Sequence, residues 1–108
     1  MVARVERGMS APPEIVFNTA TDPSRFGAWL PAPLCSDGTD MVAGDLYARW
    51  RPESNGWKAE LQVRALDAGG ASVRLELAGD LPDEQLADIA DGSLAKLARH
   101  VADNLTAG

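Results

Sequence analysis

The chain has 108 residues, 45% of them apolar and 24% charged, with a formal net charge of −6 and one cysteine. That length suits one domain, 1–108, with a working core and little surplus. The acidic balance disfavours nucleic acid and anionic membrane surfaces, which need a basic footprint, and the lone Cys35 excludes an internal disulfide.

Met1 to Arg7 carries charges where an export signal needs an apolar run, and no stretch approaches the roughly 20 apolar residues that span a bilayer. With a single thiol, this points to a reducing cytoplasm. The Ala, Arg, Gly and Asp bias suggests a bacterial source. Residues 3 to 9 alternate weakly, with Ala3, Val5 and Met9 against Arg4 and Glu6, and read as a first strand. Arg7 falls in phase with the apolar set. Either strand-end fraying or a bulge returns it to solvent, or it is an inward cation that needs an acidic partner such as a ligand.

Ser10-Ala11-Pro12-Pro13-Glu14 reads as a helix start with Ser10 as cap, followed by Ile15, Val16 and Phe17. Thr21-Asp22-Pro23 starts a second short helix, with Asp22 as cap and Phe26, Trp29 and Leu30 as its apolar stripe. Pro31-Ala32-Pro33 ends it. Ser36-Asp37-Gly38-Thr39-Asp40 is turn chemistry, so at most a short strand lies on either side.

Between Leu46 and Leu77 three runs alternate, separated by short polar links. Leu46, Ala48 and Trp50, then Trp57, Ala59, Leu61, Val63 and Ala65, then Ala71, Val73, Leu75 and Leu77 form one set. The intervening residues are mostly polar or charged. Links at Pro52–Gly56 and Asp67–Gly70 make this an antiparallel meander with one apolar and one wet face. Arg49, Arg51, Lys58, Arg64 and Arg74 gather on the wet face, and Glu60 and Glu76 among them read as cross-strand charge pairs.

Asp80-Leu81-Pro82-Asp83-Glu84 opens a C-terminal helix. Its stripe is Leu86, Ala90, Leu94, Leu97, Val101 and Leu105. Gly92 interrupts it, which predicts a bend or a close approach to the sheet, or else two helices with Ser93 capping the second.

No metal spacing, phosphate loop or nucleophile pairing is present, so neither metal nor cofactor is expected. His100 flanks the helical stripe, as a boundary residue or as an acid/base at a cavity mouth. Trp29, Trp50 and Trp57 either fill the core or line a pocket.

The run Met9-Ser10-Ala11-Pro12-Pro13-Glu14-Ile15-Val16-Phe17, then Asp22-Pro23, then Trp29-Leu30-Pro31, resembles the opening of the START-like (SRPBCC) superfamily. That group includes polyketide cyclases and coenzyme-Q-binding proteins. The resemblance is specific over residues 9 to 31 and covers the rest in outline. It implies an α+β helix-grip: a curved antiparallel sheet of four to six strands around a long C-terminal helix, with two short helices after the first strand. It further implies a cavity between sheet and helix for a lipid, polyketide, quinone or similar molecule. Arg7, Trp29, Trp50, Trp57, Leu61, Val73, Leu75, Leu94, Leu97 and His100 would line it. Family members usually carry more strands than can be counted here, so the cavity should be small.

Three functions are compatible with this reading: a non-catalytic binder of a hydrophobic molecule, a homodimeric interaction module whose cavity has closed, or a small cyclase using Arg7 or His100.

Overall fold

A computed structural model describes the backbone of residues 2–35, 39–52 and 56–107, and the side chains of all but 39, 40, 52 and 104–107 among these. Of the expected turn Ser36-Asp37-Gly38-Thr39-Asp40, the first three residues lie outside the described residues, as do Glu53, Ser54, Asn55 and the side chain of Leu105. Thr39 and Asp40 are not turn but the start of a strand.

Five strands, β1 (Val2–Met9), β2 (Thr39–Gly44), β3 (Tyr47–Pro52), β4 (Lys58–Ala65) and β5 (Ala71–Ala78), form one antiparallel sheet. Its order is β1-β5-β4-β3-β2. Helices α1 (Pro13–Ala20) and α2 (Phe26–Trp29) come after the first strand, each trailed by a single 3-10 turn, and α3 (Asp83–Ala107) closes the chain. α3 packs on β1 and β5, whereas α1 and α2 pack beside it. This is the helix-grip architecture, a curved antiparallel sheet against a long C-terminal helix.

The alternation places the core. Leu61 faces Leu75 and Val63 faces Val73 across β4 and β5. These four and the α3 residues Leu86, Ala90, Leu94 and Leu97 are all 0–2% exposed. Each fully buried leucine contributes about 1.5–3 kcal/mol. On the outer face Arg4, Glu76, Glu60 and Arg49 lie in one cross-strand row. The Arg4 guanidinium meets Glu76 at 2.9 Å. So exposed a pair is worth about 0–1 kcal/mol, and it counters the like charges of Glu60 and Glu76.

Several local readings change. β1 pairs with β5 without interruption from Val2↔Ala78 to Met9↔Ala71, so there is no bulge at Arg7. Arg7 sits opposite Val73, yet on this edge strand its long side chain reaches solvent. α1 begins at Pro13, not under a Ser10 cap, because Ala11 and Pro12 each precede a proline and are pushed into extended backbone. Leu46 is a turn residue with φ 57°, a left-handed conformation forced by the tight Gly44–Tyr47 hairpin. α3 is continuous through Asp91-Gly92-Ser93, so there are not two helices. Gly92 is exposed, and a Cβ there would meet nothing within 4 Å, so it makes no close approach to the sheet.

Asp22 does cap, although the element it opens starts as a 3-10 turn. Its Oδ1 accepts from the Ser24 N–H at 3.1 Å and from the Ser24 hydroxyl at 2.8 Å. These bonds, hydroxyl first, with help from Arg25, hold its carboxyl below the ordinary range.

A cleft beside the C-terminal helix

Two walls and an end define a large hollow among the described residues. The first wall is the segment from α2 through the next 3-10 turn. Leu30 turns extended ahead of Pro31, which stops α2 and leaves Trp29 as its last residue. The Leu34 N–H then bonds the Pro31 carbonyl at 2.9 Å and folds the chain back. Cys35 comes next, its Sγ 3.5 Å from the carbonyl oxygens of Phe26 and Leu30. Partial burial raises this thiol above its usual value.

The second wall is one face of α3. Asp88, Gly92 and Lys96 recur every fourth residue, as do Ile89 and Ser93, so all five lie on one side of the helix. Trp57 and Leu81 also line the hollow. Trp57 is fixed by Gly79: a Cβ at that glycine would fall 2.7 Å from the indole ring, so the ring occupies the space a side chain would take.

Between these walls lies a cleft of about 830 Å³, open to solvent and lined chiefly by Trp29, Leu30, Pro31, Trp57 and Ile89. Its size falls within the range of small-molecule sites. Polar groups are few: Ser93, 5% exposed, and Asp88 and Lys96, both exposed. A smaller hollow of about 310 Å³, lined by Phe26, Leu34, Met41 and Trp50, shares Gly27 and Cys35 with the cleft.

The tryptophans link the two. Trp29 and Trp50 meet edge to face at 5.6 Å, and Phe26 meets Trp50 at 5.8 Å. The indole Nε1 of Trp29 and that of Trp50 are buried and have no hydrogen-bond partner among the described residues.

Of the residues expected to line a cavity, Trp29 and Trp57 lie on this cleft and Trp50 on the smaller hollow. Leu61, Val73, Leu75, Leu94 and Leu97 are fully buried in the core. Arg7 is exposed on β1, and His100 is half-buried one turn past Lys96 on α3; neither is among the cleft's lining residues. Sequence reasoning missed Ile89, Ser93, Lys96 and the 3-10 turn. The glycine within the helical pattern was the one signal for that face of α3. Among the described residues, no three His, Cys, Asp or Glu side chains gather as a metal site. No helix among them is long and apolar enough to cross a membrane.

No protein-family model matches the sequence, and no curated protein matches it. The fold is shared with solved structures. Protein CV1439 from Chromobacterium violaceum superposes with a TM-score of 0.65 at 20% identity, covering 93% of this chain and 96% of that one. The KanY protein in solution gives a TM-score of 0.76 at 13% identity, covering 94% and 97%. The Aha1 dimer from Colwellia psychrerythraea gives 0.56 at 12% identity, covering 76% and 78%. At these identities the likeness is one of fold alone.

Proposed function

We propose that the protein is a START-like single-domain binder of a small hydrophobic molecule, such as a lipid, a polyketide or a quinone, working in the cytoplasm. The observation that carries this is the cleft of about 830 Å³ walled by Trp29, Trp57 and Ile89. The seat lies at the flank of α3, and not between its main stripe and the sheet, because Leu61, Val73, Leu75, Leu94 and Leu97 fill that interval. Aromatic and aliphatic walls with a few polar groups at the rim suit an apolar body with a polar edge. Thermal unfolding with fatty acids, sterols, quinones and aromatic polyketides tests it. A binder raises the melting temperature progressively with concentration. A flat response to all four classes refutes the reading.

A second reading is a homodimer. β1 and β2 end the sheet, and Val42 on β2 is 46% exposed. An open strand edge is a ready pairing surface, and one structure of this fold is a dimer. Sedimentation showing only monomer at high concentration excludes it.

A further inference from the structure

Four of the glycines have a conformational or steric reason within the protein, Gly56 and Gly69 through φ of 71° and 94°. Gly70 has φ 83° and its Cβ would strike the Met9 carbonyl oxygen at 2.6 Å; Gly79 makes way for Trp57. Gly92 has neither reason. Its backbone is helical, a Cβ would meet nothing among the described residues within 4 Å, and it stands within a continuous 25-residue helix. Glycine is among the poorest residues for that position. Gly27, in α2, is likewise free of any neighbour within 4 Å. Both line the same cleft, one from each wall.

We propose that Gly92, with Gly27 on the other wall, sets the size of molecule the cleft admits. The inference rests on the binding reading above and deepens it. A side chain at Gly92 extends from α3 into space that the fold leaves empty, between Ile89 and Ser93 on one side and Lys96 on the next turn. There it competes with a wide ligand and leaves a narrow one room. The helix gives up local stability at this point in exchange for width in the cleft, so the ligand class is one broader than a single ring.

The test is calorimetric titration of phenol, 2-naphthol and 9-phenanthrol into the wild-type protein, Gly92→Ala and Gly92→Leu, with the melting temperature of each. The expected result is a melting temperature a few degrees higher in both variants, from helix propensity alone. In Gly92→Leu, 9-phenanthrol weakens by about tenfold or more while phenol changes by less than about twofold. Gly92→Ala shifts the same selectivity less. A purely structural role for Gly92 moves the melting temperature and not the size selectivity. If the wild type binds the wider probes and Gly92→Leu binds all three equally well, the size inference falls and the binding reading stands. A Gly92→Leu protein that melts below wild type shows leucine striking protein rather than the cleft, and also overturns it. If none of the probes binds the wild type, the cleft reading fails and takes this inference with it.

Discussion

Gly79 carries the Trp57 indole directly on its backbone: a Cβ built there falls 2.7 Å from both Cδ2 and Cε3 of the ring. Because Ala78 pairs with Lys58, the two residues meet just beyond the β4–β5 ladder, where the cleft begins. Gly79→Ala must displace the ring, and overpacking of this kind costs about 1–3 kcal/mol. Urea unfolding should show a lower midpoint with an unchanged slope, accompanied by a shifted tryptophan emission. Stability equal to wild type would mean that the ring does not rest there.

The paired tryptophans give a second prediction. Trp50 is fully buried, yet its Nε1 bonds nothing. A buried unpaired donor costs about 1–3 kcal/mol. The edge-to-face packing against Trp29 offsets part of this through aromatic contact. Trp50→Phe removes the donor along with some volume, and the two effects oppose. We expect a net change within about 1 kcal/mol, against a loss of about 2–5 kcal/mol for Leu75→Ala in the same core. A Trp50→Phe loss as large as that of Leu75→Ala would show that the indole contributes by packing alone.

Cys35 provides a third. Burial raises its thiol above the ordinary value, so less thiolate is present at a given pH than in a free thiol. Alkylation by iodoacetamide should therefore lag behind a model thiol near pH 8, with the gap narrowing as pH rises past the raised value. Because Cys35 lines the cleft, a bound ligand should slow the reaction further. Mass spectrometry of the rate between about pH 7 and pH 10 checks both. A rate equal to the model thiol at pH 8 contradicts the burial effect.

Much of the fold was legible because it rests on period. The alternation from Ala48 to Leu77 gave three of the strands, and recurrence at three and four gave the α3 stripe, since both depend on which side chains must leave water. β2 was harder to read: it is an edge strand with no uniform alternation across Thr39–Gly44. Cap positions were missed where prolines dictated the backbone, as at Ala11 and Pro12.

The cleft was less legible than the core. Its walls meet from distant parts of the chain, Trp29 from α2, Trp57 before β4 and Ile89 from α3, and no periodicity records which faces come to lie opposite one another. Inward phase alone could not separate Leu61, Val73 and Leu75, which pack to closure, from Trp57, which borders open space. Gly92 was visible as an anomaly. Its meaning depended on knowing that a Cβ there would meet no atom of the described residues outside its own helical turn within 4 Å.

The outermost strand has a kinetic consequence. β1 comes first in the chain, yet its entire ladder is with β5, Val2 meeting Ala78 and Met9 meeting Ala71. Its mate lies beyond the whole meander in sequence, whereas β2 through β5 pair with their immediate neighbours in the chain. Such long-range closure is the slow kind. We expect the β1–β5 ladder, and the packing of α3 on β1, to form after the β2–β5 meander.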